Sequence, residues 1–378
     1  MIPSLPKLKV LFIMHLPPPV HGAAMVGSFI KNSSVINNEF NAEYINLATN
    51  TKLNESGKGS FKKVIIFCKL IAKIVYSVTT KRFDICHVTL AASGFGFIKD
   101  CAIVALLKLS GNKIIYHFHN KGVADQSSSR FYNSLYKFVF KSTKSILLSP
   151  YLYPDIKQYV KESDVYYCPN GIPPIENAEF IQKTKLVNNE SKACIFLFLS
   201  NMMYQKGVYV LLDAAKYLKE RNLKFECHFV GAWSDITESD FNQKAKEHGL
   251  SDLVYAHGPK YGADKYLFFD KADVFIFPTF YHFEAFPIVN LEAMQYGLPI
   301  ISTLEGGIPD MILDGKTGFV IPQKNSIELA DKLELLIYHP KLRKEMGREG
   351  KKRFESFFTL NHFENKLINI LKDAVLKK

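Results

Sequence analysis

The 378-residue sequence predicts an α/β protein made of two doubly wound parallel sheets. Two observations lead there. Short β-rich apolar runs alternate with helical stretches along the whole chain, the pattern of βαβ units whose sheet is covered on both faces. That alternation breaks once, at Pro169-Asn-Gly-Ile-Pro-Pro174 and the polar stretch over 176–192, and then restarts. The length suits two domains, each able to bury a core of its own.

In order, the first half offers strands over residues 9–15, 85–90, 113–119, 145–149 and 165–168. Helical stretches are expected over 22–31, 60–80, 95–110 and 128–143. After the break, strands are expected over 194–200, 225–231, 253–257, 274–278, 298–303 and 318–321. Helices fall over 207–221 and 287–296, with Pro287 at the first helical position. The end, 326–378, reads as helical, with Leu367, Ile368 and Leu371 on one apolar face. The boundaries expected are 1–172, 173–359 and a final helix over 360–378. In doubly wound sheets ligands bind outside the carboxyl ends of the strands, so the loops there are the place to look.

Composition narrows the class. With 30 Phe and 19 Tyr the chain has ample apolar surface to bury, which excludes disorder as its main state. The net charge of +12 is unevenly placed: residues 1–172 hold 21 Lys and Arg against 9 Asp and Glu, and the remainder balances at 27 each. An anionic partner for the first half follows, either a membrane surface or nucleic acid. Residues 61–82 are apolar and basic together, which suits an interfacial helix on anionic lipid or a core-facing helix with solvated lysines. No nucleic-acid-binding motif is present, so nucleic acid is not an expected partner. The six cysteines form no C-x-x-C pair and no zinc spacing, as expected of free thiols in a reducing compartment. The apolar run 10–14 is too short for a signal peptide, and no run reaches the roughly 18 residues needed to span a bilayer. A cytoplasmic protein is expected.

The sharpest local pattern runs from Pro278 to Pro299. A buried strand leads into a loop holding Glu284, and a helix follows with Glu292 about two turns along. Glu284 sits where a helix N-terminus would favour a diphosphate, or it caps that helix. Glu292 could accept two hydroxyls of a sugar diol, or it is solvated. Lys206-Gly207 forms a loop-to-helix junction, with Lys206 placed to meet an anion or simply solvated. Gly22 in the first βα loop permits close backbone approach. Asn170-Gly171 reads as a turn, and Gly306-Gly307 as either a turn or a close approach to a ligand. His117 and His119 share a strand face, with His119 nearer the carboxyl end.

The segments "FEAFPIVNLEAMQYGLPII" and "GGIPDMILDGKTGFVI" resemble the retaining glycosyltransferases of family 4, the glycosyl transferases group 1. "PPPVHGAAMVG", "FHNKG", "PNGI", "SNMMYQKG" and "HFVGAW" match in the same order, so the resemblance covers about residues 9–360. It implies the GT-B fold: two Rossmann-like domains facing across a cleft, with the C-terminal helix crossing back to the first domain. It implies an N-terminal acceptor-binding domain and a C-terminal domain that binds the nucleotide-sugar donor.

By the resemblance, Glu284, His119 and Lys206 are the catalytic residues. Glu292 binds the donor ribose. Ala285, Phe286, Ile288 and Val289 meet the sugar and diphosphate through the backbone, while Pro287 lacks an N–H to give. Gly22 approaches the donor; from their loop positions alone, His21 and Lys121 either face the acceptor or are ordinary surface-loop side chains. Asn201 also falls in the donor site, where many relatives carry an arginine. The activity implied is retaining transfer of a hexose-type sugar from a nucleotide-diphosphate sugar to a saccharide or lipid-linked saccharide, in cell-surface polysaccharide, lipopolysaccharide or capsule synthesis. No cofactor or metal is expected, and the membrane association expected is peripheral, on the cytoplasmic face of the inner membrane. An epimerase of the same fold and a non-catalytic two-lobed nucleotide-sugar binding protein are the alternatives.

Overall fold

The computed structural model describes residues 6–48, 61–175 and 193–377. The chain divides into two compact units, Met1–Ile172 with Leu360–Lys378, and Pro173–Thr359. The polar stretch 176–192, read above as a linker, lies outside the described residues.

The first unit is a parallel sheet of β1 (Lys9–Met14), β2 (Asn41–Asn46), β3 (Ile85–Thr89), β4 (Ile114–His117), β5 (Lys144–Leu147) and β6 (Val165–Tyr167). Their order is β2-β1-β3-β4-β5-β6. Helix α1 (Gly22–Asn32) leads from β1 toward β2. Helices α2 (Phe61–Thr80), α3 (Gly94–Leu109) and α4 (Arg130–Phe140) carry the chain back in the other direction, to β3, β4 and β5 in turn. Right-handed crossovers therefore put these three on the sheet face opposite α1. With both faces covered, the central strand β1 is an apolar run whose Val10, Leu11, Phe12 and Ile13 are fully buried. Truncating such a residue to alanine costs about 2–5 kcal/mol.

Strand β2 is absent from the sequence expectation. Its residues, Asn-Ala-Glu-Tyr-Ile-Asn, bury only Ile45, because the strand sits at the sheet edge and its ladder with β1 forms it. Strand β4 ends at His117, two residues short of the expected run, so His119 lies in the loop beyond it.

The second unit repeats the plan with β7 (Cys194–Leu199), β8 (Phe225–Val230), β9 (Val254–Ala256), β10 (Val274–Phe277), β11 (Ile300–Thr303) and β12 (Gly318–Ile321). Their order is β12-β11-β10-β7-β8-β9, all parallel. The order reverses between β7 and β10, which makes the loops after those two strands the switch-point loops. They lead into α5 (Val208–Glu220) and α7 (Ile288–Gln295), and α6 (Gly262–Lys271) precedes β10. Pro287 is the N-cap residue of α7, with ψ 117°, and not its first helical residue as expected.

The final helix, α8 (Leu360–Leu376), belongs to the first unit. Its Leu367, Ile368 and Leu371 are buried, Phe363 stacks near His117 at 6.3 Å, and Asp373 accepts a 2.6 Å bond from Tyr166. The six cysteines are free thiols, five of them buried and Cys68 exposed. Among the described residues no helix is long and apolar enough to cross a membrane.

Candidate active site

The carboxyl edge of the second sheet is assembled by three loops that bond to one another. Lys206 ends a short turn after β7, and Gly207 follows in the left-handed region at φ 87°. A Cβ on Gly207 would lie 2.3 Å from the Pro278 carbonyl oxygen, so glycine alone lets this turn seat against the end of β10. The Phe280 N–H then donates to the Gln205 carbonyl at 2.8 Å, and the Thr303 hydroxyl donates to the Thr279 carbonyl at 2.5 Å.

This seating delivers Lys206 to Glu284. Its Nζ lies 2.5 Å from Glu284 Oε2 and 4.2 Å from the centre of the Tyr281 ring. Both side chains are about one-seventh exposed, at 14% and 13%. Glu284 therefore does not cap α7, whose N-terminus has no side-chain cap. The loop after β11 fixes the other side of Glu284. A Cβ on Gly306 would fall 2.3 Å from the Glu284 carbonyl oxygen, and the Gly307 N–H donates to the Ala285 carbonyl at 2.6 Å. The Gly306-Gly307 pair thus approaches the Glu284–Ala285 backbone. Beside it, buried Glu305 accepts a 2.7 Å bond from Gln323, a brace that sequence reasoning missed.

Ala285 and Phe286 are buried, while Ile288 and Val289 at the start of α7 are half-buried. The first N–H groups of a helix have no intrahelical acceptor, so α7 turns partial positive charge toward this loop. Two turns along, Glu292 meets Lys265 of α6 at 2.5 Å through Oε1. Its Oε2 is buried without a hydrogen-bond partner among the described residues. Burial pushes the Glu292 carboxyl above its ordinary range, and Lys265 opposes that shift. Asn290, fully buried on the same helix, has neither amide atom partnered among the described residues. Neither Lys265 nor Asn290 was identified from the sequence. Lys265 lies 27 positions from its partner, on a different helix, and only packing reveals the pair. Asn201 is exposed in the loop after β7, apart from these contacts.

The remaining candidates lie at the carboxyl edge of the first sheet. His21 is the N-cap of α1, its Nδ1 accepting the Ala24 N–H at 3.4 Å. Gly22 is exposed with open space where a Cβ would stand, so it leaves room rather than making a close approach inside the unit. His119 is half-buried against His117, ring centres 4.3 Å apart, and its Nδ1 is sheltered without a partner among the described residues. His117 in turn meets His87 at 3.1 Å, both fully buried. Burial first, then His87, His15 and His21, pushes His119 down to about 3, so its imidazole is neutral at any physiological pH. Lys121 is half-buried just before a short helix whose N–H groups at Gly122, Val123 and Ala124 all donate to Asp155.

Residues 179–353 match the family model of the glycosyl transferases group 1. A D-inositol 3-phosphate glycosyltransferase of Arthrobacter sp. is 31% identical over 43% of this chain and 38% of its own length. An O-antigen chain mannosyltransferase C of Escherichia coli is 31% identical over 46% of this chain and 45% of its own. The matched stretch thus spans less than half the length of these curated relatives. Anabaena Alr3699/HepE, solved in complex with UDP-glucose, superposes with a TM-score of 0.72 at 16% identity, covering 97% of this chain and 100% of that one. Residues 179–353 thus resemble the glycosyl transferases group 1, and the chain that holds them has the two-sheet GT-B fold.

Proposed function

We propose that the chain is a retaining glycosyltransferase that moves a hexose-type sugar from a nucleotide-diphosphate sugar to a saccharide or lipid-linked saccharide of a cell-surface polysaccharide. The observation that carries this reading is the Lys206–Glu284 pair at the N-terminal end of α7. Each group neutralises the other until a diphosphate supplies the anion. Lys206 then turns to the diphosphate together with the N–H groups of Phe286, Ile288 and Val289, and the freed Glu284 carboxylate accepts sugar hydroxyls. The unpartnered Oε2 of Glu292 receives a ribose hydroxyl.

The acceptor oxygen attacks the sugar C1 on the face from which the phosphate oxygen departs. The C1–O bond to phosphate breaks as the new glycosidic bond forms, and the acceptor proton passes to the leaving phosphate oxygen. Lys206 and the α7 N-terminus stabilise the charge that grows on that oxygen, an effect of about 10²–10³-fold for one donor. These groups need no metal to supply that charge. Neutral His119 serves as a hydrogen-bond partner for a sugar hydroxyl and not as an acid. His21, Gly22 and Lys121 face the acceptor side, and Asn201 contributes a neutral group where related enzymes carry an arginine.

The basic first unit meets anionic lipid at the cytoplasmic face of the inner membrane through α2. That helix exposes Val64, Ile65, Val75 and Tyr76 alongside Lys69 and Lys73. The likeness to a UDP-glucose complex makes UDP-glucose the first donor to try. Donor consumption with a membrane extract as acceptor is the test. Glu284→Ala and Lys206→Ala should each slow it about 100-fold or more with the circular dichroism unchanged, and the product should keep the donor's anomeric configuration. Full activity in both variants overturns the assigned site, and sugar conversion without an acceptor points instead to an epimerase.

A further inference from the structure

The amino-terminal edge of the first sheet, the end away from His119 and Gly22, contains a cavity of about 520 Å³. Its rim carries Lys113, Lys141, Lys144, Lys161 and Lys377 against a single acid, Asp164. The floor is apolar, with Ile114 and Phe140 buried and Tyr159 half-buried. The volume is that of a small-molecule site.

The lysines differ in how far the protein compensates them. Lys113 donates to the Val375 carbonyl at 2.6 Å, and Lys377 pairs with Asp373 at 2.7 Å. Lys144 stands 3.9 Å from Asp164. Lys141 and Lys161 are exposed and pair with no acid among the described residues. Basic residues gather at helix C-termini to complement the helix dipole, but here that duty at α4 is met by another residue. Lys108 donates to the Phe138 and Lys141 carbonyls at 2.8 and 2.5 Å. Lys141 is therefore not needed to complement that helix end, and the exposed Lys161 side chain has no acid partner among the described residues. Like charges gathered in one concavity raise each other's energy and focus a positive field on its interior, and an anion placed there relieves both.

We propose that this cavity is a binding site for a multiply charged phosphate, a phosphate ester or diphosphate whose apolar or ring portion rests on Phe140 and Tyr159. The site is separate from the donor residues of the second unit and does not depend on their reading. Phosphate of this kind reaches it either as a lipid headgroup or as a soluble molecule.

Calorimetric titration of inorganic pyrophosphate into the full chain carrying Lys206→Met, which removes the donor-site cation, isolates the cavity. Binding should persist there and weaken about tenfold or more when Lys141→Glu and Lys161→Glu are added, and steeply with added salt. Both side chains are exposed and unpaired, and their removal relieves like-charge repulsion, so the melting temperature should stay level or rise; Lys141→Gln with Lys161→Gln gives the same loss of binding without new charge. Vesicles of phosphatidylcholine with phosphatidic acid separate the sources. Competition with pyrophosphate, absent for phosphatidylcholine alone, identifies a headgroup; no competition identifies a soluble ligand. Absence of pyrophosphate binding in the Lys206→Met chain, or equal affinity after the lysine substitutions, overturns the proposal.

Discussion

At the carboxyl edge of the second sheet, Glu284 and Glu292 each meet a lysine at 2.5 Å; at the carboxyl edge of the first, a cluster of histidines is held neutral by burial. The same doubly wound scaffold thus handles charge in two ways. At that site the second unit keeps full charges and compensates them in pairs, with Glu292 Oε2 buried and without a hydrogen-bond partner among the described residues. The first keeps His87, His117 and His119 neutral in a contiguous cluster. On the proposed reading, the second unit exchanges these charges for those of a diphosphate, and the first holds uncharged hydroxyls.

Four substitutions or conditions probe that contrast, in falling order of effect. Gly306→Ala places a Cβ 2.3 Å from the Glu284 carbonyl at a φ of 54°, so it moves Glu284 from Lys206. Transfer should fall about 100-fold, with a stability loss of about 1–3 kcal/mol in the melting curve. Lys265→Met leaves Glu292 buried without its cation, and Glu292, already raised by burial, then takes a proton more readily. Donor affinity should drop about tenfold, and further as pH falls below neutral, with Lys265→Arg restoring it.

The histidine cluster gives the third prediction. His87 is pushed down to about 4 by burial, and His117 well below its ordinary 6.5. The unfolded chain binds these protons at higher pH than the folded one. The stability they contribute is complete above about 6.5 and is lost as pH falls toward 4, at about 1.4 kcal/mol per pH unit for each histidine. Urea melts of the chain between pH 7 and 4.5 measure it. His87→Phe, which keeps a ring against Phe12, should flatten the slope. Last, if Lys206 and the α7 N-terminus carry the leaving-group charge as proposed, chelation by EDTA should leave the transfer rate within about twofold.

Much of this contrast was legible in the sequence, and unevenly so. The buried strands of both sheets declared themselves as apolar runs because both faces are covered. Strand β2 did not, since an edge strand with one buried residue has no run to show. Glu284, Lys206 and Glu292 stood out through motif context, yet their pairing did not. Lys206 and Glu284 are 78 positions apart and are brought together by Gly207 and Gly306, whose roles are steric and depend on the carbonyls they meet. Pro287 was placed one residue too far into its helix because proline's fixed φ suits both the cap and the first turn. The concentration of charge in residues 1–172 was plain from counting. That part of it converges on one cavity at the amino edge of a sheet required the fold.

The central claim is that the second unit holds a nucleotide-diphosphate sugar through Glu292 and Lys206. Calorimetry of UDP-, GDP-, ADP- and CMP-sugars against the full chain and its Glu292→Gln and Lys206→Ala variants tests it most directly. The account predicts saturable binding of one nucleotide class, weakened about tenfold or more in both variants. Equal affinity in all three proteins, or no binding by any of the four classes, would contradict it.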